Sequence, residues 1–260
     1  LVARPSQAER QRHQAEAGAS SVREACDLHD GNGYNGAAVQ WWDGDHLTIS
    51  NSTLTNMTGD GLWIWNADGV HVLNNHIEVC QGDSADNLHM YAPRNYEIRG
   101  NYFSMEGNTS SGKGNIHSQA GDHGVIADNT LVGGNYGVGT TDSDLTIQNN
   151  QILDHVKQGW SAGILVSEVY DIANNTIVGN VIKDATNGIY SFQDYARDNF
   201  NIHDNVFDGI HRVALLNEGS LSGAFSNNTV VAPSGTRAAT ASRVGPRPRG
   251  YCSETIIGTS

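Results

Sequence analysis

The chain has 260 residues, a formal net charge of −13, 30 glycines and only 5 prolines. An acidic surface of this kind excludes nucleic acid as the natural partner, and no apolar run is long enough to span a membrane as a helix. Three cysteines, Cys26, Cys80 and Cys252, lack metal-ligand spacing and leave buried thiols, or one disulfide and one thiol, as the readings.

Residues 1–45 carry an Ala-, Glu-, Arg- and Gln-rich stretch, RPSQAERQRHQAEAGASSVREACDL, which predicts an N-terminal α-helical cap and lead-in over the open end of a core. The chain starts at Leu1 rather than Met, as expected of a processed chain.

From 46 to 232 the sequence repeats. LTISNSTL at 47–54, VHVLNNHI at 70–77, YEIRGNYF at 96–103 and GVIADNTL at 124–131 open the series; LTIQNNQI at 145–152, YDIANNTI at 170–177, FNIHDNVF at 200–207 and GAFSNNTV at 223–230 continue it. Aligning the last Asn of each gives Asn51, Asn75, Asn101, Asn129, Asn150, Asn175, Asn205 and Asn228, in steps of 21 to 30 residues. A period in this range signals a solenoid, and the apolar residues around each Asn alternate with the strand period of two. Asn is a poor strand residue. It tolerates a left-handed bend, and stacked Asn amides bond to one another along a ladder. The Asn pairs are therefore expected to be corner posts of stacked coils. The expected fold is all-β: a single-stranded right-handed parallel β-helix of about seven to eight coils. Residues 233–260, small, polar and Pro/Arg-bearing, read as an irregular tail.

A second strand lies between successive Asn runs. Leu62, Leu88, Ile116, Val138, Ile164, Ile189 and Ala214 align as an inward column. Alternation then turns the next residues outward: Trp63, His89, His117, Gly139, Leu165, Tyr190 and Leu215 in one column, and Trp65, Tyr91, Gln119, Thr141, Ser167, Phe192 and Asn217 in another. Asp60, Asp86, Gly114, Tyr136, Ala162, Asn187 and Arg212 mark the strand starts.

Coils of about 25 residues with Asn at the corners resemble the right-handed parallel β-helix enzymes that act on polysaccharides, such as pectate lyases, chondroitinase B and some alginate lyases. The resemblance covers 46–232. It implies a secreted, carbohydrate-active enzyme with a groove on one parallel sheet, taking a polysaccharide and needing neither nucleic acid nor membrane. The Asp-Pro-His-Glu signature of mannuronan epimerases is absent, as is the Asn-Thr-Asp, Asp-Asp, Gly-His, Arg-x-Lys set of polygalacturonases.

The outward columns suit this chemistry. Aligned aromatics stack on the apolar faces of sugar rings. β-Elimination from a uronate needs a base for the C5 proton, an acid for the leaving oxygen and a group that neutralises the carboxylate. His89, His117, Tyr91 and Lys113 are the candidate catalytic residues, with Tyr91 or His117 as base. Trp63, Trp65, Gln119, Tyr136, Tyr190, Arg94, Lys157 and Asp86 are the candidate substrate-binding residues, and Gly139 is expected to leave room for a ring. The expected function is a polysaccharide lyase on an alginate-like polymer. The alternatives are hydrolysis or glycan transfer on a neutral glycan by Asp60 and Asp86, or a non-catalytic carbohydrate-binding β-helix. No cofactor or metal ligand is expected; Ca²⁺ at Asp83 and Asp86 has no clear motif. A monomer is expected. The negative charge opposes a polyanion only within about 8 Å at physiological salt, so a local cluster of Lys and His can still hold one.

Overall fold

The structure is a computed structural model and describes residues 21–24, 27–29, 37–78, 80, 85–106, 113–155, 158–166, 170–192, 195–218, 220–231 and 242–243. It is an all-β parallel β-solenoid of about 7 turns, with no helix among the described residues. Each coil has three faces. The first, carrying Leu62–Trp65, Leu88–Tyr91 and the start of Ile116–Ala127, joins the second, carrying His71–Leu73 and Arg94–Arg99, in one 18-stranded sheet. The third face is a 9-stranded sheet that includes His76–Glu78 and Tyr102–Ser104. All the pairings are parallel, as in Leu62↔Leu88, Trp63↔His89, Ile64↔Met90 and Trp65↔Tyr91. Inward Leu, Ile and Val, with Phe103, Phe200 and Phe207, fill the interior.

The corner between the second and third faces explains the Asn pairs. The first residue of each pair takes a left-handed conformation, at Asn51, Asn74, Gly100, Asp128, Asn149, Gly179, Asp204 and Asn227, a region open to Asn, Asp and Gly. The second residue points inward and is buried, except at the last post, where Asn228 is half-buried. The Oδ1 of Asn101 accepts from the backbone N and the Nδ2 of Asn75, at 2.8 and 3.0 Å, and Asn101 donates in the same way to Asn129. The ladder continues through Asn150, Asn180 and Asn205 to Asn228. Each post also donates Nδ2 to a carbonyl of an earlier coil, as Asn101 does to Val72. Buried amides are thereby satisfied at every rung.

Two of the eight expected posts move. In the first coil Ser52, not Asn51, stands at the post position, its backbone N donating to Asn75 Oδ1. In the sixth the post is Asn180, not Asn175; Asn175 sits one bend earlier, where Thr176 pairs with Thr146. The Gly179-Asn180 pair repeats the Gly100-Asn101 pattern. The solenoid also begins before 46. Ser21–Glu24 and Asp27–His29, placed in the helical stretch by sequence, are strands paired with Leu47–Ser50 and Thr53–Thr55, and Val39–Trp42 pairs with Leu62–Trp65. Residues 1–20, 25–26 and 30–36 of the expected cap and lead-in lie outside the described residues. In the tail, Ser242–Arg243 pairs with the last strand of the first face.

Candidate functional site

The first face presents the expected columns with one slip. Trp63, His89, His117, Gly139, Leu165 and Tyr190 are in register across successive strands, but Tyr190 pairs with Leu216 rather than Leu215. Ala214, expected in the inward column, is one residue short, since Ile189 pairs with Leu215. One strand earlier, Gln40 pairs with Trp63 and Trp42 with Trp65, so the outward aromatics extend to Trp42, which is 45% exposed. The columns as read from sequence stop short of Trp42, although VQWW alternates as LWIW does.

Parallel stacking brings His89 and His117 together with Lys113 beside them, while Tyr91 packs separately on Trp65. The rings of Trp63 and His89 stack at 6.2 Å, and those of His89 and His117 approach to 4.9 Å. Tyr91 stacks on Trp65 at 4.3 Å, and its hydroxyl lies 3.3 Å from that of Tyr170. Beneath the histidines is Asp86, fully buried. Its Oδ2 lies 3.3 Å from His117 Nδ1, 3.7 Å from His89 Nδ1 and 3.3 Å from Lys113 Nζ. Its Oδ1 accepts from the Gly114 N–H and the Tyr136 hydroxyl, both at 2.9 Å. Asp60 Oδ1 accepts from the Asp86 N–H at 2.7 Å.

This packing drives the two carboxyls apart. Burial, reinforced by the charge of Asp86, pushes Asp60 up to about 7. Burial also opposes ionisation of Asp86, but the close approach and charge of His117, with the charges of Lys113 and His89, outweigh it and hold Asp86 at about 2. His89 falls to about 4, chiefly through burial, with the charges of His117 and Lys113 adding to it against the pull of Asp86. His89 is therefore neutral near pH 7 and able to accept a proton. Burial raises the Tyr136 hydroxyl well above its ordinary range, and Asp86 raises it further.

Several expected binding residues do not reach a ligand. Asp86 is buried and anchors the histidines from below. Tyr136 is buried, its hydroxyl held by Asp86. Its ring occupies the space expected beside Gly139, where an added Cβ would come within 2.9 Å of it. Tyr190 is buried too, packed edge-on against Phe192 with its hydroxyl donating to Glu218. Arg94 lies on the second face, where it pairs with Asp68 and Asn66. Lys157 lies outside the described residues. Trp63, Trp65 and Gln119 are outward and partly open, as expected. Asp60 and Asp86 are one coil apart, as aligned, but both are buried. Cys80 is buried, which raises its pKa; Cys26 and Cys252 lie outside the described residues.

The sequence named no metal ligand, yet one donor atom each from Asp86, His89 and His117 lies within 4.8 Å of the others. Separations of 3.3 and 3.7 Å are close to the edge of about 3.3 Å expected of a tetrahedral shell with bonds near 2.0 Å. Two imidazoles and a carboxylate suit Cu²⁺ or Zn²⁺ and do not suit Ca²⁺, which takes six to eight oxygens. Lys113 would have to withdraw its ammonium for an ion to sit there.

No curated protein matches the sequence. Among solved structures, the chain is similar to DFA-IIIase from Arthrobacter chlorophenolicus A6 in complex with GF2, at 12% identity, over 90% of this chain and 66% of that one, with a TM-score of 0.54. It is also similar to PfbA, a surface adhesin of Streptococcus pneumoniae, at 13% identity, over 83% and 71%, with a TM-score of 0.50. The periplasmic alginate epimerase AlgG aligns at 10% identity, over 87% of this chain and 49% of that one, with a TM-score of 0.47; the chain spans about half the length of the epimerase. At such identities the likeness is one of fold. A family model described as periplasmic copper-binding protein (NosD) matches residues 21–230, which is most of the solenoid, and the chain belongs to the NosD family.

Proposed function

We propose that the chain acts on a polysaccharide in the groove of its first face, outside the cytoplasm, and that it cleaves a uronic-acid polymer by β-elimination. One observation carries this reading. A buried carboxylate, Asp86, gathers two imidazoles and an ammonium beside a row of partly exposed tryptophans. The tryptophans offer stacking to sugar rings. Lys113 supplies the positive charge that a uronate carboxylate needs, in a chain otherwise strongly acidic. His117 keeps Nδ1 against Asp86, which fixes its ring and leaves Nε2 for a ligand.

In the proposed reaction His117 or His89 takes the proton from C5. The electron pair forms the C4–C5 double bond, the C4–O bond breaks, and the Tyr91 hydroxyl protonates the leaving oxygen. No oxidant or water is consumed. Hydrolysis by a carboxylate pair needs both groups open to the substrate, and Asp60 and Asp86 are buried. The family description, periplasmic, supports the location.

The test is ultraviolet absorbance during incubation with alginate, polygalacturonate, glucuronan and hyaluronan. A rise reports the unsaturated uronate that only elimination makes. New reducing ends without a rise would replace elimination by hydrolysis.

A second reading is metal binding, favoured by the Asp86, His89 and His117 donor set together with the copper-binding family description. A bound divalent ion would act as a Lewis acid towards a ligand oxygen. Calorimetric titration with Cu²⁺ tests it: binding that is lost in Asp86→Ala supports the reading, and no heat of binding in the wild type removes it.

A further inference from the structure

We infer that the groove is closed at one end, immediately beyond His117, so that the site takes the end of a polysaccharide chain and not its middle. The inference rests on the carbohydrate reading above and adds the mode of action. The two outward columns run across the strands, one coil per step of about 4.8 Å. On the N-terminal side they stay open: Trp42 and Trp65 are 45% and 40% exposed, and Trp63, Tyr91 and Gln119 are partly so. One step past His117 and Gln119 both columns close. Thr141 is buried, with Oγ1 accepting the Ala120 N–H. Gly139 lies under the ring of Tyr136.

Tyr136 forms the wall. Its ring fits only because two neighbours lack side chains: an added Cβ at Gly114 would come within 2.3 Å of the ring, and one at Gly139 within 2.9 Å. Its hydroxyl is fixed on Asp86 and its ring meets His117 edge-on at 5.7 Å. Behind it, Leu165, Tyr190 and Leu216 are buried in an apolar cluster against which Trp160 and Phe192 pack. A chain end held at His117 therefore has its neighbours only towards His89, Trp63 and Trp42. Cleavage there releases short products from a chain end.

The experiment measures quenching of tryptophan fluorescence by size-fractionated alginate and polygalacturonate, together with the product sizes over time. Recognition of ends makes affinity per unit mass fall in proportion to chain length, because long chains carry few ends. It also makes mono- or disaccharides the first products. Affinity per mass that is independent of length, or an early ladder of mid-length products, overturns the closed groove while leaving the carbohydrate reading standing. No binding of any glycan overturns both. Trp160→Ala and Leu165→Ala, each checked for folding by circular dichroism, thin the wall and should raise affinity per mass for long chains at least threefold and lengthen the first products. Folded variants with an unchanged length dependence would also overturn the inference.

Discussion

The two halves of the first face share strand geometry and register yet differ in what they expose. Up to His117 and Gln119 the outward positions hold Trp, His, Tyr and Gln and remain partly open. From Gly139 onward the first column holds Gly, Leu, Tyr and Leu, all buried, whereas in the second Thr141 is buried and Phe192 and Asn217 are half-buried. Outward on a β-helix therefore does not mean exposed. The strand fixes direction, but the residues lying over the face decide access. In the first half the side chains bind one another through a single buried carboxylate. In the second they form a small core outside the main one.

The sharpest way to break this contrast is to remove a large side chain from the closed half. Tyr190→Ala should destabilise the fold by about 3–5 kcal/mol, as large-to-small changes at buried aromatics do, while the rate per folded molecule changes less than about threefold. Chemical denaturation and kinetics on the same preparation separate the two effects.

His117→Ala in the open half should show the reverse. The turnover rate per folded molecule should fall about 100-fold, an effect larger than the stability lost with this partner of Asp86. Equal rates in a folded variant would remove His117 from the chemistry.

Asp60 gives a smaller, pH-dependent effect. Its carboxyl titrates near 7 in the folded chain and near 3.9 when unfolded. Between those values the folded chain keeps a proton that the unfolded chain has released, so Asp60 lowers stability as pH rises from about 4 to 7. Asp60→Asn retains an acceptor for the Asp86 N–H. It should be more stable than wild type by about 2 kcal/mol at pH 8, and no more stable at pH 4. Thermal unfolding at the two pH values measures the difference, and an equal effect at both would show that Asp60 is ionised in the fold.

The smallest effects belong to the open tryptophans. Trp63→Ala should raise KM about tenfold with kcat nearly unchanged, the mark of lost stacking in ground and transition states alike. Trp42→Ala, farther from the histidines, should raise it about twofold to threefold by the same comparison.

Much of this arrangement is legible in the residues. The Asn repeat gives the coils and their corners, because only a few residue types accept a left-handed bend and only amides bond both up and down a ladder. Where the repeat misleads, at Asn175, an Asn pair occupies the preceding bend, where Asn174 stacks between Asp144 and Asn199, and competes with the Gly-Asn that forms the post. The pairing of His89 with His117 follows from register alone. The role of Asp86 does not. An Asp at a strand start reads as a turn residue, and its burial depends on Tyr136 from two coils away. Tyr136 itself reads as a groove residue, since nothing local shows that Gly114 and Gly139 make a slot for its ring.

Sequence by itself therefore determined the fold, most of the register and the stacking of His89 beside His117, because parallel stacking turns spacing along the chain into adjacency in space. Tertiary structure alone decided which outward residues meet solvent, which carboxylate holds the histidines and where the groove ends. Those properties depend on contacts between coils and on the side chains packed over the face, and no single repeat encodes them.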